Sequence, residues 1–215
     1  AYDQLIHDVA LQNLDVTLAI DRAGFVGGDG ATHAGIFDVS FLRCVPNMVI
    51  MSPSDENECW QMLSTGYNYQ GPAAVRYPRG EGLGTEISKN FDSLEIGKAR
   101  IINEEASDFV ILSFGNMLKL SMEIADEINC SLIDMRFIKP LDEELIEKCA
   151  KIYKHIISIE ENMVSGGAGS AVNEFLSKIG YSEKLKIIGI TDEFPIIGSQ
   201  EDQREATGLT KAKIL

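Results

Sequence analysis

The sequence predicts an α/β protein of two units, each built on a parallel sheet, and three observations carry that prediction. Short apolar runs alternate with helical periodicity along almost the whole chain, which is the signature of parallel strands joined by crossover helices. The alternation stops at residues 81–95, where Gly80, Gly82 and Gly84 introduce a stretch with little apolar content, and then restarts. The size of 215 residues, 45% of them hydrophobic and 24% charged, is enough for two small packed cores. The units are therefore placed at residues 1–84 and 96–215, with 85–95 as a linker.

In the first unit, Leu5, Ile6, Val9 and Ala10 lie at helical spacing within residues 1–13. Residues 16–20 are a β-rich run, and the Gly-rich stretch 24–35 breaks regular structure. Residues 36–45 read as a helix and 48–51 as a buried strand. Ser52-Pro53-Ser54-Asp55 ends that strand and caps a helix over 56–67. Residues 73–75 form a strand closed by Arg76-Tyr77-Pro78-Arg79-Gly80. About three strands are fewer than an open α/β sheet usually holds, so this unit is expected to be the distal part of a domain. The chain also lacks an initiator Met and opens on helical pattern, which leads us to expect a piece of a longer protein. The second unit looks complete. Strands are expected at 109–114, 131–135, 155–159 and 185–190, and helices at 117–128, 142–151, 169–179 and 200–207.

Charge narrows the partners. A net charge of −14 argues against nucleic acid, whose phosphates demand a basic face. No apolar run reaches the ~18–20 residues of a membrane helix, and no basic-then-apolar leader opens the chain. Cys44, Cys59, Cys130 and Cys149 are widely spaced, with no Cys-x-x-Cys and no His at zinc-ligand spacing. They read as reduced, mostly packed thiols, so a cytoplasmic location is expected.

The basic residues of the first unit are Arg22, Arg43, Arg76 and Arg79, with no Lys among them. Arginines reserved for strand ends on an acidic chain suggest a small anion held by forked hydrogen bonds; the alternative is pairing with local carboxylates such as Asp21. Asp21-Arg22-Ala23-Gly24 and Gly27-Gly28-Asp29-Gly30-Ala31-Thr32-His33-Ala34-Gly35 follow a strand, where parallel sheets bind ligands. Asp29 and His33, four residues apart, suit a proton-transfer pair, or else His33 is a loop histidine satisfied by backbone. Arg76-Tyr77-Pro78-Arg79-Gly80 would face the same sheet edge, or serve as a turn with solvated arginines. Gly166-Gly167-Ala168-Gly169-Ser170 invites a phosphate-loop reading, but it lacks the P-loop Lys and the Gly-x-Gly-x-x-Gly spacing. Glu160-Glu161 upstream would repel an anion, so a tight turn with close helix packing is expected there.

Together these segments resemble the transketolase superfamily, and within it the 1-deoxy-D-xylulose-5-phosphate synthase family. The matching residues are Ala1-Tyr2-Asp3-Gln4 with Ile6-His7-Asp8, the two loop motifs above, Pro53-Ser54-Asp55-Glu56, and Arg76-Tyr77-Pro78-Arg79-Gly80. The second unit adds Asp134-Met135-Arg136-Phe137, Lys139-Pro140-Leu141-Asp142, and Glu160-Glu161-Asn162 with Gly166-Gly167-Ala168-Gly169-Ser170. Each motif is short; their number and order make the match specific. Transketolase proper usually follows its loop His with Gln-Pro, where this chain has Ala34-Gly35. Pyruvate dehydrogenase β-type subunits lack the Asp-Arg-Ala-Gly loop.

The resemblance implies a thiamine diphosphate- and Mg²⁺-dependent transferase. Such an enzyme condenses pyruvate with glyceraldehyde 3-phosphate, releases CO2, and feeds isoprenoid and thiamine biosynthesis as a homodimer. It implies that Arg22 and Arg79 hold the aldehyde's phosphate and that Asp29 and His33 contact the acceptor or the intermediate and assist proton transfer. It also implies a pyrimidine-binding domain, continued here through residue 84, and a largely structural C-terminal domain. The family's metal motif, its aminopyrimidine Glu and its stacking aromatic would lie upstream, so Gly28-Asp29-Gly30 is not read as the metal motif. The isolated chain is expected to be inactive and to bind no cofactor. The rival expectations are a non-catalytic assembly module and a split subunit that joins a separate chain.

Overall fold

The computed structural model describes residues 1–215. The chain opens with α1 (Tyr2–Gln4), which continues into a π-helical segment, Leu5–Ala10. Then come β1 (Thr17–Ile20), α2 (Asp38–Arg43), β2 (Val49–Met51), α3 (Glu56–Asn68) and β3 (Ala73–Arg76). The three strands run parallel in the order β1-β3-β2. The helix expected over 36–45 shortens to 38–43 because Ile36 pairs with the second unit instead, its carbonyl accepting from Met163 N at 2.9 Å. Asp55 caps α3 as its sequence predicts, its side chain accepting from Glu58 N.

The second unit contains β4 (Arg100–Asn103), β5 (Phe109–Ser113), α4 (Leu118–Ile128), β6 (Ser131–Asp134) and β7 (Phe137–Lys139). It continues with α5 (Glu143–Ile152), β8 (His155–Met163), α6 (Ala168–Ile179), β9 (Leu185–Ile190), α7 (Gln200–Thr207) and α8 (Lys211–Ile214). Its sheet has the order β4-β6-β5-β8-β9, parallel except for β4 at one edge.

Two strands escape the sequence reading, and one changes the architecture. β7 leaves its own unit and pairs antiparallel with β2, making a fourth strand for the first sheet in the order β1-β3-β2-β7. The first unit therefore supplies three strands, as its sequence implies, and takes the fourth from beyond the linker. Phe137 is fully buried among Val49, Met51, Met62, Ala73 and Val75 of the first unit. Residues 85–95 have no regular structure beyond bends, yet they lie along α3 as a strap. Asn57 accepts from Ser88 N, Trp60 donates to Asn90 O, Ser64 donates to Phe91 O, and Thr65 accepts from Leu94 N.

Charged side chains also cross between the units. Buried Glu58 of α3 accepts from Arg136 at 2.6 Å and lies 3.3 Å from Arg100, while Arg100 donates to buried Asp134 at 3.0 Å. Ser54 donates to Asp134 at 2.8 Å. Burial pushes Asp134 up to about 6, against the pull of the Ser54 hydrogen bond and Arg100. At the head of α6, Glu160 accepts from Ala168 N and Gly169 N at 2.8 and 2.7 Å. The anion-seeking helix terminus is thus filled by the chain's own carboxylate, in line with the tight-turn expectation for Gly166–Ser170. Burial outweighs those two N–H donors and pushes Glu160 up to about 7.

Three outcomes follow from these contacts. Phe137→Ala should cost about 3–5 kcal/mol, the usual range for a buried Phe. Because β7 belongs to both units, fluorescence of the single tryptophan, Trp60, and far-UV circular dichroism should lose amplitude in one coincident transition; separate transitions would count against the shared strand. Glu160 is raised in the folded state, so the folded chain holds its proton longer than the unfolded one. Its contribution to stability is then full below about 4.5 and falls as pH rises toward about 7. The stability gap between wild type and Glu160→Gln, measured by urea unfolding, should shrink over that window; a gap that is constant with pH would contradict this.

Candidate functional site

The candidate site lies past the C-terminal ends of β1 and β3, the crevice edge of a parallel sheet. β1 ends at Ile20 and leads into the Arg22 loop, and β3 ends at Arg76 just before Arg79. The parallel register pairs Ile20 with Arg76, so the two loops leave the sheet side by side. The bond from Ala23 N to Tyr77 O at 2.9 Å ties them together directly.

Arg22 and Arg79, predicted from sequence to converge, do so on one atom. Arg22 Nε lies 3.4 Å and Arg79 Nε 3.2 Å from Oδ2 of Asp29. Arg22 Nη1 also donates to Asp21 at 2.8 Å, and Arg79 Nη1 donates to the Val26 carbonyl at 2.9 Å. The local pairing with Asp21 therefore exists alongside the convergence. Both guanidiniums are about half exposed. The arrangement presents two forked donors, held by one carboxylate, at an open rim. It suits an anion with several acceptor oxygens.

Asp29 and His33 are not joined by a hydrogen bond. Asp29 ends the 3₁₀ turn Gly27–Asp29, and His33 ends a second turn, Ala31–His33. Gly30 stands between them at φ +74°, a left-handed conformation that glycine adopts freely, and it redirects the chain. Asp29 turns toward the arginines, whereas His33 is exposed with Nδ1 3.0 Å from Thr32 Oγ1.

Arg76 and Arg43, grouped by sequence with the anion-seeking arginines, have other partners. Arg76 is buried and donates to Asp38 at 2.6 and 3.2 Å and to the Gly35 carbonyl at 3.1 Å. It pins the exit of the Gly-rich loop to the end of β3. Arg43 reaches the second unit, donating to Glu174 and to the Gly166 carbonyl.

The second unit grips the loop from behind through residues whose part the sequence reading missed. Glu161 Oε2 accepts from Phe25 N at 3.2 Å and from Asn116 at 2.6 Å, while its Oε1 accepts from Arg204 at 2.6 Å. A Cβ on Gly24 would overlap the Glu161 carboxylate, which is why the Asp-Arg-Ala-Gly motif ends in Gly. Gln203 accepts from Gly27 N at 2.9 Å, and Gln200 donates to Phe25 O at 2.6 Å and Arg79 O at 3.2 Å. The available signal was the spacing of Gln200, Gln203 and Arg204, which puts them on one helical face.

Residues 1–215 do not fit a diphosphate-bound metal. No group of three or more His, Cys, Asp or Glu is placed to hold a metal ion. The carboxylate of Gly28-Asp29-Gly30 is engaged by two guanidiniums. No helix is long and apolar enough to cross a membrane.

Two family models match the chain. The transketolase pyrimidine binding domain covers residues 1–83, and the transketolase C-terminal domain covers residues 97–214. The 1-deoxy-D-xylulose-5-phosphate synthase of Vibrio cholerae serotype O1 is 51% identical over 99% of this chain and 35% of the relative. That of Psychromonas ingrahamii is 54% identical over 94% of this chain and 32% of the relative. The chain thus spans about a third of the length of these curated relatives. A solved structure described as a split gene transketolase, an inactive beta4 tetramer, matches with TM-score 0.87 and 26% identity. That match covers 100% of this chain and 69% of the other. A transketolase from Campylobacter jejuni shares the fold at TM-score 0.72 and 22% identity, over 96% of this chain and 31% of the other. By its domain models, its relatives and its architecture, the chain belongs to the transketolase family.

Proposed function

We propose that this chain is the acceptor-binding part of a thiamine diphosphate-dependent synthase of the 1-deoxy-D-xylulose-5-phosphate type. The observation that carries the reading is the convergence of Arg22 and Arg79 on Asp29 at the open sheet edge. In the reaction, pyruvate loses CO2, and its remaining two-carbon unit forms a C–C bond to the aldehyde carbon of glyceraldehyde 3-phosphate. Thiamine diphosphate with Mg²⁺ supplies the carbanion chemistry when bound, and it is held by parts of the whole protein outside this chain. Arg22 and Arg79 receive the aldehyde's phosphate. Asp29 keeps the two guanidiniums aligned before the phosphate arrives, so little ordering remains to be done on binding. His33, exposed on the same loop as Asp29, moves a proton at the acceptor's oxygen. We assign residues 1–84 to the pyrimidine-binding domain, 85–95 to the connection and 96–215 to the C-terminal domain, in a cytoplasmic homodimer.

A second reading is favoured by the match to a split-gene transketolase over the whole of this chain. In it, the chain is a subunit completed by a separate cofactor-holding chain. Both readings leave the isolated chain inactive. Calorimetric titration with thiamine diphosphate and Mg²⁺ should give no micromolar binding, and activity should appear only when the cofactor-holding part is joined or mixed in. Micromolar binding to residues 1–215 alone would contradict both.

In the complete enzyme, Arg79→Ala and His33→Ala should fail differently. Loss of one charge-assisted bond, worth about 1.5–3 kcal/mol, should raise the KM for glyceraldehyde 3-phosphate by about one to two orders of magnitude and leave that for pyruvate nearly unchanged. Arg79→Lys should restore only part of this, since an ammonium is a point charge rather than a fork. His33→Ala should fall mainly on kcat, by about 10²–10⁴-fold. Steady-state kinetics with both substrates decides it: an equal rise in KM for pyruvate and aldehyde in Arg79→Ala would move the arginines from substrate binding to domain support.

A further inference from the structure

We infer that one face of α7, in the C-terminal unit, sets the geometry of the arginine clamp and thereby the enzyme's preference for a phosphorylated acceptor. The inference rests on the clamp proposed above and adds to it residues that touch no substrate.

The two arginines stand on separate loops of the first unit, and each guanidinium is about half open to water. Beyond the β1–β3 register and the Ala23–Tyr77 bond, the backbone of both loops is bonded to the second unit. Gln200 Nε2 donates to Phe25 O on the Arg22 loop and to Arg79 O on the other, so a single amide spans the clamp. One turn along, Gln203 reads both backbone groups of Gly27. Its Oε1 accepts from Gly27 N at 2.9 Å, and its Nε2 donates to Gly27 O at 3.3 Å and to Ile196 O at 2.8 Å. Arg204 completes the face by donating to Glu161, which in turn accepts from Phe25 N. Gly27 sits at φ +64°, and a Cβ there would lie 3.4 Å from the Gln200 backbone, in van der Waals contact, so the loop and α7 pack closely. Asp29, which holds both guanidiniums, follows Gly27 by two residues in the same 3₁₀ turn.

Moving α7 would therefore move the Val26 carbonyl and Asp29 that aim Arg79, and the Arg79 backbone itself, together. The clamp as proposed receives a phosphate, and pyruvate carries none. The effect of loosening them falls on the phosphate, the one substrate group that needs two guanidiniums at a fixed separation. Gln200, Gln203 and Glu161 are thus positioning residues for the acceptor phosphate.

The experiment uses the complete enzyme with three substrates: pyruvate, glyceraldehyde 3-phosphate and unphosphorylated glyceraldehyde. Gln200→Ala removes two neutral hydrogen bonds from a half-buried side chain and should raise the KM for the phosphorylated aldehyde by about tenfold. The KM values for pyruvate and for glyceraldehyde should stay within about twofold. Gln200→Glu, the same shape without the donating amide, should do the same, and it serves if the alanine variant folds poorly. Combined with Arg79→Ala, Gln200→Ala should add little, because the clamp it aligns is already lost. Equal rises for all three substrates, or full additivity with Arg79→Ala, would overturn the inference. If Arg79→Ala itself fails to discriminate phosphorylated from unphosphorylated aldehyde, the clamp reading falls first and takes this inference with it. If Arg79→Ala discriminates while both Gln200 variants match wild type, the clamp stands and the role of α7 alone is refuted.

Discussion

The carboxylate of Glu161 is the interaction on which the architecture turns. The residue is about 1% exposed, and a carboxylate so far from water is costly to bury unless donors surround it. The donors come from three places distant in sequence: Phe25 N, Asn116 and Arg204. Satisfying one buried charge therefore fixes the Gly-rich loop, the turn ahead of α4, and α7 against one another. It also dictates Gly24, since any side chain there would occupy the carboxylate's space. A second set of charges, buried Glu58 and Asp134 with the partly buried Arg100 and Arg136, pins α3 to the same unit. The resemblance implies a structural part for the C-terminal domain. These contacts give that part specific content, because the structure being supported is the loop that carries the candidate site.

Much of this was legible in the sequence, and the exceptions have physical causes. Helical patterning located α3, α4, α5 and α6, and a cap residue marked the start of α3, because those signals are local. Glu160 upstream of the glycine loop correctly argued against a phosphate there; the carboxylate occupies the helix terminus itself. β7 was not legible. Three residues carry no period, and its partner, β2, lies across the linker. Composition marked residues 81–95 as irregular but could not show the strap, since its bonds to α3 run from single polar side chains to backbone.

In the site, the convergence of Arg22 and Arg79 followed from strand ends in a parallel sheet, and the structure has it. The pairing of Asp29 with His33 was argued from a four-residue spacing. That spacing brings side chains together on a helix. Here the two residues end separate turns on either side of a left-handed glycine, and one faces the arginines while the other faces water. Arg76 shows the same limit. Its partner, Asp38, is close only because α2 follows the loop that Arg76 helps to close. Pairings of this kind are set by tertiary packing, and no local pattern announces them.

The borrowed strand has a consequence for the chain as it is made. A ribosome delivers β1, α2, β2, α3 and β3 before the strap, and these can begin to pack as they emerge. The outer edge of β2 must then wait for the whole strap, β4, β5, α4 and β6 before β7 reaches it. At about 5–20 residues per second, that wait lasts several seconds. During it, Val49, Ile50 and Met51 present an apolar edge with unpaired backbone, the kind of surface that recruits strands from other chains. The native topology thus builds a vulnerable interval into biosynthesis. That interval is a reason for such a chain to depend on chaperone capacity, or on slow growth, more than its finished stability would suggest.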